Sequence, residues 1–230
     1  MKALVLTAYD RLEYLDWQDP VPAPNEVIVQ VRSCGICGSD VHGMDGSTGR
    51  RIPPIIMGHE ASGVIVAVGR EVNNWAIDTP VTFDSTLYPL DDWYTRKGLY
   101  NLCDHREVLG VSCAEFKRHG AFADLVAVPE HVLYRIPDGV NFHQAAMVEP
   151  AAVASHAVSL LPMQLNDSAV VVGAGTIGLC LIQILTNVGC GKIIALDLDQ
   201  GRLQLAQDLG ADLLLPADMP ELRETLLPYT

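Results

Sequence analysis

Through about Pro137 the chain is β-patterned, its short apolar runs cut by Gly and Pro. "KALVLTA", "NEVIVQVRS", "ASGVIVAVG", "PVTF" and "AFADLVAVP" are dense in Val and bounded by turn formers, which predicts strands. In "EVIVQVR" a two-residue period puts Val27, Val29 and Val31 on one face and Gln30 and Arg32 on the other, as a half-buried strand requires.

After Pro137 the pattern changes. "NFHQAAMVEPAAVASHAVSLL" is alanine-rich and reads as helix, with Pro150 tolerable only in the first turn of a second helix. "SAVVVGAGTIGLCLIQILTNVGCGKIIALDLD" then reads as strand, glycine turn, helix and strand. "GRLQLAQDLG" is an amphipathic helix, "ADLLLPA" a short strand and "MPELRETLL" the start of another helix. The expected organisation is a β-rich domain over 1–150 and an α/β domain over 151–230.

Bulk properties narrow the class. At 230 residues with 49% hydrophobic and 19% charged residues, the chain is an ordinary globular protein. A net charge of −13 and the absence of any Lys/Arg run argue against nucleic acid and anionic membranes as partners. The run "AVVVGAGTIGLCLIQIL" falls short of the ~20 residues of a membrane span. "MKALVLTAYD" lacks a signal-peptide pattern. Six irregularly spaced cysteines are no disulfide framework, so a reducing, cytoplasmic setting is expected.

Two motifs carry chemistry. "GAGTIG" places Gly173, Gly175 and Gly178 around Thr176 and Ile177, between an apolar strand and a helix. The first glycine permits the turn, the second admits a pyrophosphate to the backbone, and the third lets helix and strand pack closely. The helix start then offers free N–H groups to phosphate. Asp197 follows Gly178 by 19 residues, at the end of the next strand. A carboxylate there accepts ribose hydroxyls and repels a 2′-phosphate, favouring NAD over NADP. Arg202, one turn beyond, is placed to lie over the adenine.

The second motif is "SCGICGSDVH", whose Cys-x-x-Cys admits three readings: a redox dithiol, half a structural zinc site, or one corner of a catalytic metal site. Downstream, "GHEASG" offers His59 and Glu60, and Glu149 stands at a helix start. Cys37, His59 and either Glu60 or Glu149 make a mixed S, N, O set of the kind zinc accepts. Singly, each has a plainer role: a core cysteine, a hydrogen-bonded histidine, a helix-start glutamate.

Taken together, "CGICGSDVH", "GHEASGVIVAVG", "NLCDHREVLGVS", "GAFADLVAVP", "EPAAVASHAV" and "VVVGAGTIGL" resemble the zinc-dependent medium-chain dehydrogenase family, nearest its sorbitol (polyol) branch. The resemblance implies a GroES-like catalytic domain followed by an incomplete Rossmann domain. It implies a hydride transfer between a secondary alcohol and NAD, with zinc as Lewis acid. Cys37 and His59 would hold the zinc with Glu60 or Glu149, the other carboxylate acting through water. Ser39 would take the substrate proton and His42 would end the relay, while Asp40 orients His59. Cys34 would be a neighbour, not a ligand. A threonine, simple-alcohol or sugar-phosphate substrate, or an inactive nucleotide-binding protein, are the rival readings; the ligand set counts against a zinc-free reductase.

Two departures from that family follow. The four cysteines of a structural zinc lobe align with Pro89, Asp92, Thr95 and Cys103, so one catalytic zinc and no structural zinc is expected. The lobe should hold itself by packing around Trp93, Tyr94 and Tyr100. From Ser168 only 63 residues remain, enough for about two βα units and a third strand at ~30 residues per unit. A fragment of a longer protein or a natural truncation is therefore expected, with an exposed sheet edge. The ending within a helix-to-strand connection favours a fragment, and the resemblance implies a homo-oligomer for the intact parent.

Overall fold

Residues 1–229 are described in a computed structural model of the chain. They divide into two compact units, Met1–Glu149 and the remainder from Pro150. Their order begins with β1 (Lys2–Ala8), β2 (Arg11–Asp16), β3 (Glu26–Cys34), α1 (Gly38–Gly43), β4 (Ile55–Ile56), β5 (Ala61–Val68) and β6 (Pro80–Phe83). It continues with β7 (Thr86–Leu87), α2 (Trp93–Arg96), β8 (Glu107–Val108), β9 (Val111–Ser112), β10 (Lys117–Arg118), β11 (Leu125–Pro129) and β12 (Leu133–Arg135). Helices α3 (Phe142–Ala146) and α4 (Val148–Ser159) follow, then β13 (Ser168–Val172), α5 (Thr176–Asn187), β14 (Lys192–Asp197), α6 (Gln200–Asp208), β15 (Leu213–Pro216) and α7 (Leu222–Leu226).

The first unit is built on an antiparallel sheet of order β11-β3-β5-β6-β12. Val27 and Val29 point into its core with Ile65, Val81, Phe83, Val126 and Val128, and Val31 packs against them. That is the face which alternation predicts. The opposite face is covered too at the strand's start, where Ile28 is buried and Glu26 pairs with Arg118. Each fully buried Val or Ile contributes about 1.5–3 kcal/mol, enough to fix register.

Two strand readings change. β2 was not expected: "RLEYLD" buries little on either side and forms because a turn at Asp10 (φ 58°) folds it back on β1. Conversely, Ala121–Asp124 precedes β11 without joining it. The segment pairs with β1: the Leu4 amide donates to the Phe122 carbonyl at 2.8 Å, the Asp124 amide to the Lys2 carbonyl at 2.9 Å, and Ala3 bridges Ala123. Ala121 and Phe122 amides also bond the carbonyls of Gly58 and Met57.

The lobe between β7 and β8 also differs in detail. Trp93 is 63% exposed, because α2 is a single turn with no buried residue. Tyr88 and Tyr100 stack at 4.6 Å and His131 meets Tyr88 edge-on. Asp92 caps α2, accepting from the Tyr94 and Thr95 amides at 2.8 and 3.1 Å.

In the second unit β13, β14 and β15 form a parallel sheet in that order. Strand β14 is buried on both faces: Ile193 and Ala195 pack with Ile182 and Leu203, Ile194 and Leu196 with Leu215. Strand β13 is an edge, with Val172 78% exposed. Pro150 occupies the first turn of α4, as its chemistry demands. No helix among the described residues is long and apolar enough to cross a membrane.

Candidate metal centre and dinucleotide turn

The metal corner starts from a short helix. Cys37 is the N-cap of α1, in extended backbone, and Asp40 at the third helical position turns back so that its Oδ2 accepts the Cys37 amide at 3.2 Å. This fixes the thiol at the head of the helix. His59 and Glu60 lie in the buried segment between β4 and β5. The Gly35 amide donates to the Glu60 carbonyl at 2.7 Å, joining the two segments side by side. A Cβ on Gly35 would overlap Glu60 Oε2, so a side chain there would displace the Glu60 carboxylate.

One donor atom from each of Cys37, His59 and Glu60 lies within 4.8 Å of the others. Soft sulfur, imidazole nitrogen and hard oxygen converge, a set that fits zinc. Nδ1 of His59 faces Asp40 Oδ1 at 3.5 Å, leaving Nε2 for a ligand. Glu149 stays outside this group, half-buried.

Electrostatics agree with a cation-seeking site. Burial alone would push His59 down, but Asp40, then Cys37, outweigh it and hold the imidazole up to about 9. It thus carries a proton where a metal ion would answer the same charge. Burial raises Asp40, and is outweighed by His59, Arg51 and the Cys37 amide, so its carboxyl lies below the usual range. Burial raises Glu149 above it; Glu60, Asp84 and Asp40 add to the rise and His59 opposes it. Cys34 is pushed up to about 12 by burial, then by Asp40 and Glu60, so it remains a thiol and its Sγ lies 3.5 Å from the Gly35 carbonyl.

Ser39 and His42 are both exposed on α1, three residues apart and so on one side of it. Sequence reasoning missed Arg51. It is 4% exposed, and its Nη2 lies 3.3 Å from Asp40 Oδ1 and 3.5 Å from Ser39 Oγ. No sequence signal marks it, since "GRRIPP" resembles a solvated loop.

In the second unit Gly173 has φ +94°, Gly175 is the N-cap of α5, and Thr176 and Ile177 begin the helix with exposed side chains. A Cβ on Gly178 would overlap the Gly173 carbonyl, whereas one on Gly173 or Gly175 would meet nothing within 4 Å. Asp197 ends β14; Oδ2 accepts the Ala174 amide at 2.7 Å and Oδ1 the Asp199 amide at 2.9 Å. Those bonds hold its carboxyl below the usual range. Arg202 Nη1 stands 3.9 Å from Asp197 Oδ2.

Similarity to known proteins identifies the family. The alcohol dehydrogenase GroES-like domain matches residues 23–138. D-arabitol-phosphate dehydrogenase of Enterococcus avium is 33% identical over 225 residues, 96% of this chain and 62% of that protein. Sorbitol dehydrogenase of Halalkalibacterium halodurans is 34% identical over 234 residues, 100% of this chain and 66% of its own length. Galactitol-1-phosphate dehydrogenase from Escherichia coli superposes with a TM-score of 0.90 at 28% identity, over 100% of this chain and 66% of its own. The chain belongs to the zinc-dependent medium-chain alcohol dehydrogenase family, near its sorbitol (polyol) branch.

Proposed function

We propose that this chain carries the zinc site and the first dinucleotide-binding half of an oxidoreductase that moves hydride between a secondary alcohol, a polyol among them, and NAD. The observation that carries the reading is the convergence of Cys37, His59 and Glu60 within 4.8 Å. Those three residues would hold one zinc, with Glu149 beside them as the alternative or water-mediated carboxylate. Zinc, when bound, supplies the Lewis acidity that makes an alcohol proton labile, and the nicotinamide accepts the hydride.

This chain's own residues handle the proton and the cofactor. Ser39 takes the substrate proton and His42, exposed on the same helix, returns it to solvent. The Gly173–Gly178 turn cradles the pyrophosphate at the start of α5, with Thr176 and Ile177 lining it. Asp197, held ionised by two backbone amides, takes the ribose hydroxyls and repels a 2′-phosphate, and Arg202 covers the adenine. In the lobe Asp92 is committed to capping α2 and Pro89 offers no donor, which supports a single zinc. The GroES-like catalytic part over 1–150 and the Rossmann part over 151–230 would act in a cytoplasmic homo-oligomer.

Native mass spectrometry tests the reading. One zinc per chain is expected, lost in Cys37→Ala, together with tighter binding of NAD than of NADP by titration calorimetry. A folded chain without zinc would refute the metal reading, and equal affinity for the two dinucleotides would refute the role given to Asp197.

A further inference from the structure

Behind the metal corner lies a buried cation. Arg51 is tied to Ser112 on both sides: the Ser112 amide donates to the Arg50 carbonyl at 3.2 Å, and the Ile52 amide to the Ser112 carbonyl at 2.9 Å. Its stem fills the space over Gly43, where a Cβ would stand 2.5 Å from Arg51 Cγ. Nη1 donates to the Arg50 carbonyl at 3.0 Å, and Nε is buried with no hydrogen-bond partner. Burying a guanidinium costs several kcal/mol unless nearby charge answers it. A surface arginine would not be held this way.

The answering charge is Asp40. Its Oδ1 is shared, facing Arg51 Nη2 at 3.3 Å and His59 Nδ1 at 3.5 Å. Its Oδ2 takes the Cys37 amide at 3.2 Å. One carboxylate therefore connects Arg51 to two of the three candidate ligands. We propose that Arg51 is a positioning residue of the zinc site, holding Asp40 between Cys37 and His59. The inference rests on the zinc-site reading above. Arg51 and Asp40 are buried together, so the guanidinium answers the Asp40 carboxylate where solvent does not. Without Arg51, Asp40 Oδ1 loses its anchor and the orientation of His59 goes with it.

The test is zinc affinity of the purified chain, measured by chelator competition, alongside the visible spectrum of the cobalt-substituted chain. Arg51→Gln is expected to weaken zinc binding about 10- to 100-fold, the usual effect of removing a partner behind a ligand, and to shift the cobalt bands. Arg51→Lys keeps the charge and should recover most of the affinity with only part of the spectral change. Should Arg51→Gln fail to fold by circular dichroism, Gly43→Ala pushes the Arg51 stem while keeping its charge. A several-fold loss of zinc affinity would then support the proposal, and an unchanged value would overturn it. Arg51→Gln that loses only thermal stability, with wild-type zinc affinity and spectrum, also overturns it. A wild-type chain that binds no zinc, or zinc that Cys37→Ala fails to release, overturns both this inference and the zinc reading; normal zinc untouched by Arg51→Gln overturns this inference alone.

Discussion

The two candidate sites treat glycine in opposite ways. In the metal corner, the space beside Gly35 and Gly43 is filled by side chains of the site itself, Glu60 and Arg51. In the dinucleotide turn, the space beside Gly173 and Gly175 is open, and only Gly178 is pressed against backbone. The first site makes its contacts with charged side chains buried against one another. The second offers bare backbone to something from outside. A metal ion needs few, fixed donors at short range, whereas a pyrophosphate needs room and N–H groups.

The sharpest way to break this contrast is Cys37→Ala. Zinc affinity should fall by more than about a thousandfold, given the size of zinc–thiolate binding energies, while NAD affinity stays near normal. Parallel metal analysis and calorimetry check this; a joint loss would mean the two sites are not independent. Next in size is Gly178→Ala, whose Cβ would overlap the Gly173 carbonyl. It should destabilise the second unit by about 1–3 kcal/mol, as overpacking does, and be seen as a lowered denaturation midpoint.

Gly175→Ala sharpens the same contrast from the other side. With nothing within 4 Å of the added methyl, stability should stay within about 0.5 kcal/mol. NAD affinity should fall about tenfold or more, because the methyl takes ligand space. Unchanged affinity would show that the opening is not used. The smallest effect is the pH response of the turn. Asp197 lies below its ordinary value because the Asp199 and Ala174 amides bond it. A lowered carboxyl stabilises above its unfolded value of 3.8 and loses that contribution as pH falls through the folded value. The Ala174 amide resonance should therefore titrate below 3.8; a midpoint above it would remove this anchor.

Much of this molecule follows from local pattern. The Val-rich runs gave β3, β5 and β6, and Pro150 and the glycine turn fixed the starts of α4 and α5, because backbone preference and burial act over a few residues. Cys37, His59, Glu60 and Asp197 stood out as candidates from the sequence only through their joint setting, since each type alone has a plainer role. Tertiary structure decided the rest. Nothing local separates Glu60 from Glu149 as the third donor; the pairing of Gly35 with Glu60 brings Glu60 into the group. Trp93 looked like a packing centre, but the single turn of α2 leaves it exposed. Arg51 drew no reading from the sequence; its burial comes from Ser112 and Gly43, residues 61 positions after it and 8 before it. Sequence determines which groups can do chemistry; long-range packing decides which of them meet, since that is set by contacts between segments and not by composition within one.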